Sequence, residues 1–174
     1  MKGIYDFSKL ISILKGSKLR KLDSEGNNIE VEFTLNPPAR IDDISSVERD
    51  LMIKLPHTYK EFLLKYNGAR IFDYEGLDGF IILGTEDIVK ANKYVASTFD
   101  EDWIDTIIIF AKYIGEGNYL GFGNFSGENE YYVIDCFQEE LPENWGKIAE
   151  NFDEFLRMIV ESQGRKYWLI KPSC

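Results

Sequence analysis

One histidine, two cysteines and thirty carboxylates are the side chains of this chain best suited to chemistry. His57 follows Pro56 at the start of a helical pattern, where a lone imidazole reads as a surface residue. It cannot form a multi-histidine metal site, and no Cys-x-x-Cys pair supplies thiolates beside it. A serine nucleophile would need a Gly-x-Ser-x-Gly elbow to present it, and none occurs. The run Gly115-Glu116-Gly117-Asn118-Tyr119-Leu120-Gly121-Phe122-Gly123 is glycine-rich, as phosphate loops are. It lacks the Gly-Lys-Ser/Thr ending and leads into a strand pattern, so no helix dipole would face a phosphate. It reads instead as a hairpin turn with small residues where something packs closely. An EF-hand loop begun at Asp100 would need Gly at its sixth place and Glu at its twelfth; those places hold Asp105 and Ala111. A carboxylate pair for glycoside hydrolysis remains open in principle, but nothing singles a pair out. The residues point to no catalytic, cofactor or metal site.

The elements that carry these residues belong to a chain of 174 amino acids, 44% of them hydrophobic. A single domain of this size buries roughly 70% of its unfolded surface, ample for a core without staples. The net charge of −10 and a pI near 4.7 argue against a nucleic-acid binder or a ligand of anionic membranes. No apolar run approaches the ~20 residues of a spanning helix, the longest being Thr106–Ala111. The N-terminus shows no signal-peptide apolar stretch. Cys136, in a strand pattern, and Cys174, at the last position, make no disulfide framework. A reduced, soluble, cytoplasmic protein is expected.

Charge is unevenly spread. Residues 99–163 hold three basic and fifteen acidic side chains, a net of −12, whereas residues 1–40 are net +2 and the last eleven +3. Such asymmetry marks either an interaction surface or a solubilising face.

Phe7, Leu10, Ile11 and Leu14 form one helical stripe within Tyr5–Lys15, ended by Gly16. Lys18–Leu22 and Ile29–Leu35 flank a turn-rich stretch and predict a hairpin, stopped by Pro37 and Pro38. A helix begins at Asp42 and runs through Ile44, Val47, Glu48 and Leu51. Lys54-Leu55-Pro56 breaks it, and Tyr59, Phe62, Leu63 and Tyr66 face the core from a third helix closed by Asn67-Gly68. Strands are predicted at Arg70–Tyr74 and Phe80–Leu83, then a helix N-capped by Thr85 and reaching about Ser97. Thr106–Ala111 reads as a central strand buried on both faces. Tyr119–Phe122 and Tyr131–Asp135 complete an antiparallel set, joined by the loop Gly123–Asn129. Ile148, Phe152, Phe155, Leu156, Ile159 and Val160 mark a last helix, and Tyr167–Ile170 is strand-like, suited to a sheet edge. The class is α+β, a single domain with a mostly antiparallel central sheet flanked by about four helices.

One stretch is more specific. Asn36-Pro37-Pro38-Ala39, Ile44-Ser45-Ser46-Val47-Glu48-Arg49-Asp50-Leu51, Ile53-Lys54-Leu55-Pro56 and Tyr59-Lys60-Glu61-Phe62-Leu63-Leu64-Lys65-Tyr66-Asn67-Gly68 together resemble the opening signature of the SUKH superfamily. That superfamily includes fungal cell-wall-synthesis regulators and many bacterial immunity proteins. The resemblance covers roughly residues 36–160, leaving 1–35 as an N-terminal extension and 161–174 as a tail. The motif residues have structural work: Leu55 and Pro56 turn a corner, Tyr59, Phe62 and Leu63 are core, and Gly68 ends a helix.

The resemblance implies binding rather than catalysis, without cofactor or metal. The partner implied is a cognate protein toxin, often a nuclease or another nucleic-acid-modifying domain; nucleic acid and membrane are not expected partners, and the chain would be a monomer or weak dimer. Asp100, Glu101, Asp102, Glu116, Glu128, Glu130, Glu139, Glu140 and Glu143 are the expected contact residues, occupying the toxin's basic surface. Trp103, Tyr119, Tyr131 and Trp145 are aromatic anchor candidates, although large aromatics are more often core. The alternative is a housekeeping scaffold resembling the fungal members, and an enzyme is a distant third.

Overall fold

The structure, a computed structural model, describes residue 12 and residues 18–124 and 131–170. Within these lie four α-helices and eight strands, and the expected α+β class is what the chain adopts. The strands are β1 Lys18–Leu22, β2 Asn28–Leu35, β3 Ala69–Tyr74, β4 Asp78–Ile82, β5 Ile108–Tyr113, β6 Tyr119–Gly123, β7 Tyr132–Cys136 and β8 Lys147–Ala149. They form one antiparallel sheet in chain order, so each strand pairs with its sequence neighbour. The helices are α1 Ile41–Leu51, α2 His57–Lys65, α3 Thr85–Phe99 and α4 Phe152–Glu161.

One sheet face is closed by α2 and α4. Tyr59 and Phe152 meet Phe110 and Phe122 at ring-centroid distances of 5.4–6.2 Å, and Phe110 stacks on Phe122 at 4.2 Å. Tyr59 is wholly buried, yet its hydroxyl donates to the Leu83 carbonyl at 2.6 Å. Burial pushes that phenol's pKa far up, so it stays protonated and remains a donor.

The signature residues explain the corner before α2. Glu48, on α1, accepts from the Leu55 amide at 2.9 Å and from the ammoniums of Lys60 at 3.1 Å and Lys54 at 3.2 Å. Its carboxylate thereby satisfies a backbone donor where the chain breaks ahead of Pro56. Burial alone would raise the Glu48 carboxyl; the Leu55 amide and the two lysines outweigh it and hold the group below its ordinary value. Asn67 ties down the other end of α2. Its amide caps α3 by accepting from the Thr85 N–H at 2.7 Å and donating to the Thr85 hydroxyl at 3.0 Å, while its carbonyl accepts from Asn36.

Several expectations are corrected. Thr85 is the first helical residue of α3 and Gly84 the N-cap, because the capping amide arrives from Asn67, distant in sequence. Ile148 lies in β8; the last helix starts at Phe152, capped by the Asn151 side chain accepting from the Glu154 N–H. Tyr167–Leu169 is a 3-10 turn, not an edge strand. Trp168 Nε1 there donates to Asp135 Oδ2 at 2.8 Å, and the Lys166 ammonium sits 4.0 Å from the Tyr113 ring centroid. A side-chain anchor thus replaces ladder pairing for the tail. The helix expected over Tyr5–Lys15 lies, apart from Ser12, outside the described residues, as do Cys174 and most of the loop Gly123–Asn129.

The buried central strand is β5, which starts at Ile108 and leaves the expected Thr106 exposed in the preceding turn; Ile107–Ala111 are at most 3% exposed. β4 stops short of covering its edge, and the buried Asn92 of α3 takes over. Its amide accepts from Ile109 N–H at 2.7 Å and donates to Ile109 O at 2.9 Å, as a partner strand would.

Two outcomes follow. Tyr59→Phe keeps the ring but deprives the buried Leu83 carbonyl of this donor, and should cost about 1–3 kcal/mol, read as a lower urea midpoint at unchanged slope. Glu48→Gln should flatten the acid limb of the stability profile. A carboxyl held low when folded contributes its full stability above its unfolded value near 4.5 and loses it as pH falls below that.

Candidate functional site: an acidic rim around a tryptophan cluster

The acidic third of the chain folds so that two of its segments meet. The first follows α3, where Asp100–Asp102 form a 3-10 turn closed by the Trp103 N–H on the Asp100 carbonyl. The second joins β7 to β8, with a 3-10 turn at Pro142–Asn144. Trp145 is the hinge between them. Its ring packs edge-on against Phe99 at 5.1 Å and Trp103 at 6.4 Å. Its Nε1 donates to the carbonyls of Phe137 at 2.9 Å and Glu140 at 3.2 Å, folding the second segment back on itself.

Asp100, Glu101, Asp102, Glu139, Glu140 and Glu143 therefore border one aromatic cluster, and all six are exposed. None forms an ion pair with a described residue. The few cations of this third of the chain are occupied or placed elsewhere: Lys147 pairs with Glu150 at 2.6 Å, and Arg157 with Glu154 and Glu161 at 3.5 and 3.0 Å. Uncompensated carboxylates on two segments that meet through these rings produce a negative potential that attracts a cationic surface.

The other expected contact residues separate from this rim. Glu116 sits in the β5–β6 turn and is paired with Lys166 at 2.6 Å. That turn touches the second segment, where Gln138 N–H donates to Asn118 Oδ1, but its carboxylate serves the tail. Glu128 and Glu130 lie outside the described residues. Among the aromatic candidates, Trp145 is 5% exposed and belongs to the core, while Trp103, Tyr119 and Tyr131 are half-buried against it. Charge patterning passed over Phe137 and Leu141, 40% and 42% exposed in the second segment. Apolar side chains left in water between carboxylates are better placed than Trp145 to anchor a partner. Their signal in the sequence was present, Phe137 and Leu141 flanking Gln138-Glu139-Glu140, but periodicity gives such residues to a core by default.

The glycine-rich run has a packing role. Gly115 holds φ +81 in its turn with the Leu77 carbonyl where a Cβ would sit, and a Cβ on Gly121 would lie 2.9 Å from Cys136 Sγ. His57 is exposed, with Nε2 3.5 Å from Glu61. Among the described residues no group of three or more His, Cys, Asp or Glu is arranged to hold a metal ion, and no helix is long and apolar enough to cross a membrane.

The rim and its support are separable. Trp145→Phe should cost about 1–3 kcal/mol by removing the indole donor from the Glu140 carbonyl and from the Phe137 carbonyl, which keeps only the Glu140 N–H, whereas Asp100→Asn and Glu143→Gln should stay within about 0.5 kcal/mol of wild type, all read by urea denaturation.

Comparison with known proteins places this fold. The family model described as SMI1 / KNR4 family (SUKH-1) matches residues 38–158. The chain is 29% identical over 144 residues to YnaB, an uncharacterized protein of Bacillus subtilis, covering 83% of this chain and 92% of that one. It is 30% identical over 127 residues to the immunity protein RhsIB of Dickeya dadantii, covering 72% and 76% of the two chains. A second uncharacterized Bacillus subtilis protein, YobM, is 29% identical over 156 residues. The match spans the Glu48 corner, the Tyr59 core and the acidic segments alike, and this chain belongs to the SMI1/KNR4 (SUKH-1) family.

Proposed function

We propose that this chain is a protein-binding module, not an enzyme, and acts as an immunity protein that neutralises a cognate toxin by direct contact. The family and the similarity to an immunity protein support the role. The observation that carries the mode of binding is the rim: six exposed carboxylates without ion pairs to described residues, brought together from two segments about Phe99, Trp103 and Trp145. A toxin acting on nucleic acid must present cations to phosphates. The rim would occupy that surface, with its charge accelerating encounter and Phe137 and Leu141 supplying apolar contact. Exposed charges are screened beyond ~8 Å at physiological ionic strength, so association should weaken with salt.

Capture of native partners on the tagged chain, at low and then high salt, tests this reading. One toxin-like protein released by salt is the expected result; several cellular proteins and no toxin would favour a scaffold role. With the partner in hand, the triple change Glu139→Lys, Glu140→Lys and Glu143→Lys should slow association by about tenfold or more, with a much smaller change in dissociation. Unchanged association would remove the rim from the interface.

A further inference from the structure

On the sheet face opposite Tyr59 the strands are left open, and one cross-strand row runs Thr34, Arg70, Ile81, Lys112 and Tyr119 in successive register. Helix α3 supplies a wall to this row with Lys90 and Tyr94, enclosing a cleft of about 480 Å³. Its floor is the half-buried Ile81, and three cations, Arg70, Lys90 and Lys112, stand around it in a chain of net charge −10. Lys90 and Lys112 form no ion pair with a described residue, and Lys112 is the one cation of residues 99–163 not engaged by a carboxylate among them. Arg70 is bound through Nε to Asp73 at 2.8 Å, which leaves its terminal nitrogens as donors. Asp87, the carboxylate of the cleft, lies in the first turn of α3, where the helix dipole accommodates it. Tyr119 and Tyr94 are close enough to influence each other: burial first, and then Tyr94, push the Tyr119 hydroxyl up, keeping it a donor.

We infer that this cleft is a second docking surface, built for an acidic, partly apolar segment of a protein partner. Arg70 and Lys112 are separated by the strand that carries Ile81, about 10 Å at two strand spacings. An occupant with two carboxylates would give one to each cation and seat an apolar side chain between them on Ile81. Arginine and tyrosine around an apolar centre are the composition of binding hot spots. A nucleic acid strand offers no aliphatic side chain to seat on Ile81, which favours a protein segment as the occupant. The inference extends the binding-module reading but does not use the rim, which lies on different residues.

The test uses the full-length, nitrogen-15-labelled chain with polyglutamate as probe, and oligothymidylate and polylysine as comparisons. Polyglutamate should bind saturably and shift the amides of Ile81, Lys112 and Tyr119. Lys90→Glu with Lys112→Glu, which spares the Arg70–Asp73 pair, should weaken it by about tenfold or more, while Lys147→Glu, the same type of charge change outside the cleft, should not. Amide dispersion of each variant verifies folding. No saturable binding, equal loss in the Lys147→Glu control, or tighter binding of oligothymidylate would overturn the proposal. Polyglutamate binding in the cleft alongside a rim that proves irrelevant to the captured partner would refute the rim reading and leave this one standing.

Discussion

Tyr59 is the point on which the rest of the structure closes. Its ring touches Phe110 of β5, Phe122 of β6 and Phe152 of α4, while its hydroxyl reaches the Leu83 carbonyl where β4 gives way to α3. One wholly buried side chain thus joins two central strands, the C-terminal helix and the strand-to-helix junction. A buried hydroxyl is tolerated only because it finds an acceptor. The Glu48 corner sets the entry to α2, and Asn67 binds its exit to the start of α3. Both devices place Tyr59.

This division explains what the sequence made legible. Elements with strong local signals were readable: the stripe of Tyr59, Phe62 and Leu63, the apolar run at Ile107–Ala111, and the hairpin between Lys18 and Leu35. The misreadings all have long-range causes. Thr85 looks like a cap because its true capping group, Asn67, is eighteen residues away. Ile148 has the spacing of a helical residue, but β7 recruits it into β8 by pairing. Tyr167–Ile170 has strand composition, yet Asp135 and Tyr113 hold it through Trp168 and Lys166.

The candidate site was half legible for the same reason. Net charge located the acidic third of the chain, but charge counting cannot distinguish Glu116, paired with Lys166, from Glu143 in the rim. Nor can it show that Asp100–Asp102 and Glu139–Glu143 converge, because that depends on the packing of Trp145 against Phe99 and Trp103. The cationic cleft was invisible, since Arg70, Lys90 and Lys112 come from β3, α3 and β5; strand register lines up Arg70 with Lys112, and the placement of α3 adds Lys90. Core residues build the fold, while the charges dispersed among them build its surfaces.

A partner seated on the acidic rim would shield the backbone amides of both rim segments. Hydrogen exchange of the full chain, free and bound to the partner it captures, addresses that most directly. Engagement of the rim gives new protection in residues 99–105 and 137–146, with β1 and β2 unchanged. Protection confined to the β1–β2 hairpin, with both rim segments exchanging as they do in the free protein, would contradict it.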